Sequence, residues 1–103
     1  RYIFADLRIR HRLDARETIV IEVKCFPPTR SILDDFYHAV GQYLVYRNAL
    51  RLFNVPARIH LVIPQRIEGY LLDRPPVRAT LEEAGVKLVV IDMQHEEVTR
   101  WET

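Results

Sequence analysis

The amino-acid sequence predicts an α/β domain built on a mixed β-sheet, and three observations carry this prediction. Short runs rich in Val and Ile at residues 18–26, 58–64 and 86–92 have the length and composition of strands. Residues 32–53 have apolar side chains spaced about 3.6 positions apart, as in an amphipathic helix. After the first two strands, helical and strand segments alternate, and this order is typical of α/β proteins.

Length and composition limit the possible functions. The 103 residues, 49% hydrophobic and 28% charged, fit one globular domain over residues 1–103 and leave no room for a second. A formal net charge of +1 gives no overall basic field that would indicate nucleic acid. A single cysteine, Cys25, excludes an internal disulfide and a multi-cysteine zinc site. No apolar run approaches the ~20 residues of a membrane span, so we expect a cytoplasmic protein.

The first two strands are expected to form a hairpin. Residues 1–10 alternate between apolar and polar, and the polar segment 11–16 contains Asp14, which suits a turn. A turn centred near Asp14 makes the hairpin antiparallel and places Asp6 opposite Glu22, or one step diagonal from it. Opposed residues share a face of the sheet with Cβ atoms ~5 Å apart. A slip of one residue would send Asp6 to the other face.

Charged residues on strand 18–26 are the strongest functional signal. Glu22 and Lys24 share one face of an otherwise apolar strand, where a charge is costly unless it is paired or binds a metal. A plain ion pair on a half-exposed strand, worth about 0–1 kcal/mol, is the alternative. Asp6 and Glu22 repel each other unless a cation lies between them, and carboxylate oxygens are preferred ligands of Mg²⁺. The trio therefore predicts two metal ligands beside one ammonium group.

The long helix carries a further candidate. Ser31 followed by Asp34 is typical of a helix start, and the helix is expected to run over residues 32–53. Gly41 in its middle is unfavourable for a helix and suggests close approach of another backbone. Next to it, Gln42 either hydrogen-bonds a water or ligand at the metal or is a residue at the boundary of the apolar face.

The second half of the chain completes the sheet. It predicts a strand at 58–64, a short helix at 77–84 that starts at Pro75-Pro76 and ends at Gly85, a strand at 86–92, a turn at 93–96 and an edge strand at 97–101. The expected order is thus β-β-α-β-α-β-β. The four histidines have no helical i, i+4 spacing, which argues against a zinc site. The sequence also contains no Gly-rich loop of the kind that binds nucleotide phosphates.

The best local basic patch lies near the hairpin. Arg8, Arg10 and Arg12 alternate along the first strand and into the following polar segment. They suit contact with a phosphate backbone, but a solvated hairpin tip explains them equally well.

Two resemblances to known families rest on these residues. Asp6, Glu22-Val23-Lys24 and Gln42 resemble the Asp…Glu-x-Lys…Gln pattern of the restriction-endonuclease-like nucleases, the PD-(D/E)XK superfamily. More closely, the chain resembles the XisH family, the fdxN element excision controlling factors of cyanobacteria, in four segments: "YIFADLRIR", "IVIEVKCF", "DFYHAVGQYLVYR" and "VKLVVIDMQHEEVTRW". A departure is Ala5, which stands where the superfamily usually has Pro before the first Asp.

The resemblance implies a fold. It implies a restriction-endonuclease-like mixed β-sheet with an N-terminal hairpin and flanking helices. In the family a helix and a further strand come before the position of Asp6. This chain begins on Arg-Tyr-Ile-Phe without Met, so we expect the first family helix to be missing from it.

The resemblance also implies a mechanism and partners. Mg²⁺ or Mn²⁺ would be held by Asp6, Glu22 and the Val23 carbonyl, with Lys24 stabilising charge on the scissile phosphate and Gln42 orienting the water or Lys24. DNA would be the substrate, a recombinase and an XisI-like small protein the partners, and a homodimer the expected assembly. The alternative is a catalytically idle accessory protein that binds DNA or a partner. A purely structural domain would leave the charged trio unexplained.

Overall fold

The structure, a computed structural model, describes residues 10–13, 16–22 and 31–102, the first two ranges by their backbone only. Within these ranges it has five strands and three helices. In chain order they are β1 (Arg10–Leu13), β2 (Arg16–Glu22), α1 (Ile32–Leu52), β3 (Ala57–Pro64), α2 (Gln65–Leu72), α3 (Pro75–Ala84), β4 (Leu88–Asp92) and β5 (Glu97–Trp101).

All five strands form one mixed sheet in the order β1-β2-β3-β4-β5. The β1–β2 and β4–β5 pairs are antiparallel, whereas β2, β3 and β4 run parallel to one another. Parallel neighbours need a crossover connection, and α1 supplies it between β2 and β3. The predicted α/β class, with a mixed sheet and the hairpin at one side, is confirmed.

Helix boundaries follow local chemistry. Ser31 caps α1, and its hydroxyl accepts a hydrogen bond from the backbone N–H of Asp34 at 3.2 Å. Helix α3 begins at Pro75 and ends at Gly85, whose φ of 67° is the left-handed conformation that glycine adopts without strain. Both helices were predicted. Helix α2 was not predicted, because it follows β3 directly from Pro64 without a loop.

The strand boundaries of the hairpin differ from those expected. Residues 11–13, expected in the turn, belong to β1, and β2 begins at Arg16 rather than at residue 18. The polar residues of this segment are compatible with a strand because β1 lies at an edge of the described sheet. The expected strand over residues 1–9 lies outside the described residues.

The main core lies between one face of the sheet and the three helices. The sheet contributes five buried residues to this core: Ile59, Leu61 and Ile63 of β3, and Leu88 and Val90 of β4. Helical residues cover them, among which the most buried are Phe36, Val40, Tyr43, Ile67, Leu71, Val77 and Leu81. The Tyr43 hydroxyl lies in this core, where it donates to the Ile59 carbonyl at 3.0 Å and accepts from the Lys87 N–H at 3.2 Å. Tyr43 thus ties α1 to the start of β3 and to the residue before β4.

The opposite face of the sheet carries a second, smaller cluster. Val62 and Val89 are buried there, packed against Ile91 and Trp101. The described helices all contribute to the main core, so none of them belongs to this second cluster. The two faces of the sheet therefore differ in what covers them.

Gly41 does not mark a close approach of backbones. It is exposed on α1, and a Cβ atom built on it would meet no described atom within 4 Å. The expectation of a tight contact at this glycine is wrong for the described part of the chain. No helix that the structure describes is long and apolar enough to cross a membrane.

Candidate functional site

Glu22 is the last described residue of β2, an inner strand between β1 and β3. In the backbone register, Glu22 pairs with Val62 of β3. The neighbouring candidates Val23 and Lys24, and Asp6 on the preceding strand, lie outside the described residues. The structure thus fixes one backbone position of the predicted metal site, at the carboxyl end of the described part of β2.

The hairpin register differs by one residue from the expected one. Arg10 pairs with Ile19 and Leu13 with Arg16, whereas a turn centred on Asp14 would pair Arg10 with Thr18. The reason is that two residues separate the paired ends of β1 and β2, so the pairing is centred half a residue beyond Asp14. A regular continuation of this register would bring position 7, rather than Asp6, opposite Glu22. Since a one-residue slip changes the face, convergence of the two acids requires one extra residue, a β-bulge, in this hairpin.

Gln42 lies on α1, half-buried, and α1 packs on the face of the sheet that carries Ile59 and Leu61. Glu22 pairs with Val62, and Val62 belongs to the cluster on the opposite face. Paired residues of a parallel ladder share a face, so Gln42 and position 22 are associated with different faces. A role for Gln42 at the metal therefore requires that it act around the end of β2, and this role stays a prediction.

The basic patch is described in part. Arg10 and Arg12 lie on edge strand β1, where they pair in register with Ile19 and Glu17. Two residues apart, they occupy the same face of the strand. Arg8 lies outside the described residues. This backbone placement does not test contact with nucleic acid.

His60 is a buried titratable residue whose environment the sequence did not predict. The side chain is buried, and its Nε2 donates to the Glu102 carbonyl oxygen at 2.9 Å. Its ring lies 5.1 Å from the Trp101 ring, centroid to centroid. Burial lowers the pKa of His60, the bond to Glu102 opposes this, and the charges of Arg58 and Lys87 lower the pKa further.

The position of His60 relates it to the predicted site. Its register partner is Val20, two residues before Glu22 on β2. Its Nδ1 is buried and has no hydrogen-bond partner among the described residues. A nitrogen of this kind is uncommon inside a protein. The only signal for it in the sequence is a lone polar residue within an apolar strand.

Asp92 and His95 form a pair of titratable side chains at the turn between β4 and β5. His95 Nδ1 lies 2.7 Å from Asp92 Oδ2, and the N–H groups of Gln94 and His95 donate to Asp92 Oδ1. The side chain of His95 holds the pKa of Asp92 below its usual value, and the two backbone donors contribute to this. These bonds account for the tight turn at 93–96 that the sequence predicted.

The predicted ligand set is chemically suited to Mg²⁺. Two carboxylates and a backbone carbonyl are hard oxygen donors, and Mg²⁺ prefers such donors while keeping several waters. Among the described residues no group of three or more His, Cys, Asp or Glu side chains is placed to hold a metal. The predicted metal centre would be formed by Asp6, Glu22 and the Val23 carbonyl.

Comparison with known proteins identifies the family. The model of the XisH protein family matches residues 2–99. The chain belongs to the XisH family. No relative among curated proteins matches the chain.

Two solved structures of XisH-type proteins are similar to the chain in fold. One, an XisH family protein from Nostoc punctiforme PCC 73102, is 23% identical with a TM-score of 0.80. The other, an fdxN element excision controlling factor protein from Anabaena variabilis, is 26% identical with a TM-score of 0.81. Each similarity covers 93% of this chain and 74% of the other. The first of these similarities shows the fold alone.

Proposed function

We propose that this XisH family protein is a metal-dependent nuclease of the PD-(D/E)XK type that acts on DNA during excision of a DNA element. The observation that carries the proposal is the position of Glu22 on an inner strand, between an antiparallel and a parallel neighbour. A carboxylate that is buried at such a position would need a cation beside it. Membership of the XisH family and the name of the Anabaena protein support the biological setting.

The chemistry follows from the types of the residues. Mg²⁺ or Mn²⁺, when held by Asp6, Glu22 and the Val23 carbonyl, would polarise the scissile phosphate and lower the pKa of an attacking water. Lys24, protonated beside two carboxylates, would stabilise the negative charge that builds on the phosphate. Gln42 would orient the water or Lys24. Arg8, Arg10 and Arg12 would contact the DNA backbone.

One observation favours a second candidate, a catalytically idle accessory protein. In the observed register, Asp6 and Glu22 share a face only if the hairpin contains a bulge. Without a bulge the two acids would not share a metal ion, and the domain would act by binding DNA, a recombinase or an XisI-like partner. Both the nuclease and the accessory protein are proposed to act as homodimers.

Cleavage of supercoiled plasmid DNA tests the proposal. We expect the parent protein to nick or linearise plasmid with Mg²⁺ or Mn²⁺ and not with EDTA, because the carboxylates act through the metal. Glu22→Gln, which keeps the shape but removes the charge, is expected to abolish cleavage. Glu17→Gln, on the same strand, is the matched control and should cleave like the parent.

The accessory protein gives a different result. It would bind DNA or its partner equally well with and without Glu22, and the parent would not cut under any metal condition. A Glu22→Gln variant as active as the parent would remove Glu22 from the site.

A further inference from the structure

A basic cavity lies at the amino edge of the parallel strands, away from the predicted metal site. Its walls come from the second half of α1, the start of β3 and residues 85–87 before β4, and its volume is about 370 Å³. Four cationic residues line it: Arg47, Arg51, Arg58 and Lys87. No acidic side chain belongs to its described lining. The cavity is therefore a concentration of positive charge in a protein of almost neutral net charge.

One of the four cations has a structural role, and the other three have none that the described residues show. Arg47 donates to the carbonyls of Ala84 and Gly85 at 2.6 and 3.3 Å, at the end of α3, and it stacks over Tyr43. Arg51, Arg58 and Lys87 make no ion pair with any described residue. By contrast, Arg100 on β5 is held by two carboxylates.

Two residues that line the cavity, Arg47 and His60, have further features that bear on ligand binding. The Nε of Arg47 is buried without a hydrogen-bond partner among the described residues. His60 also lines the cavity. Burial lowers the pKa of His60, and the charges of Arg58 and Lys87 lower this pKa further. Like charges gathered in a cleft repel one another, and a bound anion relieves this repulsion.

We propose that this cavity binds a phosphate group. The arginine guanidinium is a planar fork that matches phosphate oxygens in pairs, and lysine adds a point charge. A volume of about 370 Å³ is in the range of small-ligand clefts. The phosphate belongs either to a DNA backbone or to a small phosphorylated molecule, since both present the same oxyanion.

The proposed phosphate site is independent of the proposed nuclease. Arg58 lies four positions before Val62, the register partner of Glu22. Four residues of strand span about 13 Å. Phosphate binding here should therefore need neither Mg²⁺ nor Glu22.

Two binding assays on the full chain test the site. Inorganic phosphate is titrated by calorimetry, and a fluorescent 20-base-pair duplex by anisotropy at several salt concentrations, always with EDTA. The test variant is Arg58→Gln/Lys87→Gln, which spares the structural Arg47. The control is Arg66→Gln/Arg78→Gln, which removes the same charge from two exposed residues outside the cavity. Circular dichroism confirms that each variant is folded.

We expect the test variant to lose about tenfold or more in phosphate affinity, the effect of two lost charge-assisted contacts. The control variant and Glu22→Gln should bind phosphate like the parent. If DNA is the source, duplex binding also falls, and its dependence on log salt becomes shallower by about two counterions. If duplex binding is unchanged while phosphate binding falls, the ligand is a small phosphorylated molecule.

Two results would overturn the proposal. One is a parent protein that binds neither phosphate nor duplex. The other is a test variant that binds both as well as the control does. Either result leaves the nuclease proposal standing, because that proposal depends on Glu22 and on added metal.

Discussion

His60 couples the stability of the sheet to pH. The neutral ring donates from Nε2 to Glu102, and burial, opposed by this bond and assisted by Arg58 and Lys87, lowers its pKa below the ordinary 6.5. In the unfolded chain the same imidazole takes up a proton near pH 6.5, while in the folded chain it stays neutral to lower pH. The stabilisation is thus present above pH 6.5 and is lost as pH falls towards the folded pKa.

We therefore expect the free energy of unfolding to fall below pH 6.5 by up to about 1.4 kcal/mol per pH unit from this residue. Urea unfolding over this range measures the fall. His60→Gln should be less stable than the parent at neutral pH but should show a flatter pH dependence. His38→Gln, at an exposed position of α1, should keep the slope of the parent. Equal slopes for the parent and His60→Gln would contradict this explanation.

At the scale of the element, we expect that helix α1 can be stabilised by one substitution, at Gly41. Gly41 is exposed, and its missing Cβ would contact no described atom within 4 Å. We expect Gly41→Ala to raise the free energy of unfolding by about 0.5–1 kcal/mol, because alanine restricts the unfolded chain and favours the helix.

Gly85 provides the opposite case in the same urea-unfolding experiment. Its φ of 67° is unfavourable for any residue with a Cβ, so Gly85→Ala should destabilise the protein by about 1 kcal/mol. If Gly41→Ala were as destabilising as Gly85→Ala, a contact at Gly41 would have to exist after all.

Local signals explain which elements could be predicted. Ser31 before α1 and Pro75 and Gly85 around α3 each act through their own backbone, so their effects are visible in the sequence. Helix α2 has no such start signal, since Pro64 ends a strand and caps the helix at once. The prediction at Gly41 is wrong because a glycine that is unfavourable in a helix does not by itself indicate a contact.

At the scale of the whole molecule, the sheet was more predictable than the site. The alternation of β3, with Ile59 and Leu61 on one face and His60 and Val62 on the other, was predicted from the sequence and is confirmed by the two clusters. Register between strands depends on the centre of the turn, and the observed pairing is centred half a residue beyond Asp14. A site assembled from several strands is affected by such errors in register. The basic cavity could not be predicted for a related reason, because its cationic residues lie far apart in the sequence.

The nuclease proposal depends on two acids from neighbouring strands that share one metal ion. Calorimetric titration with Mn²⁺ tests this directly in the parent, Asp6→Asn and Glu22→Gln, with Glu17→Gln as the control. We predict one bound ion per chain for the parent and the control, and a loss of binding in both Asp6→Asn and Glu22→Gln, because each removes a ligand of the same ion. A parent that binds no ion, or an Asp6→Asn variant that binds as tightly as the parent, would contradict the proposal.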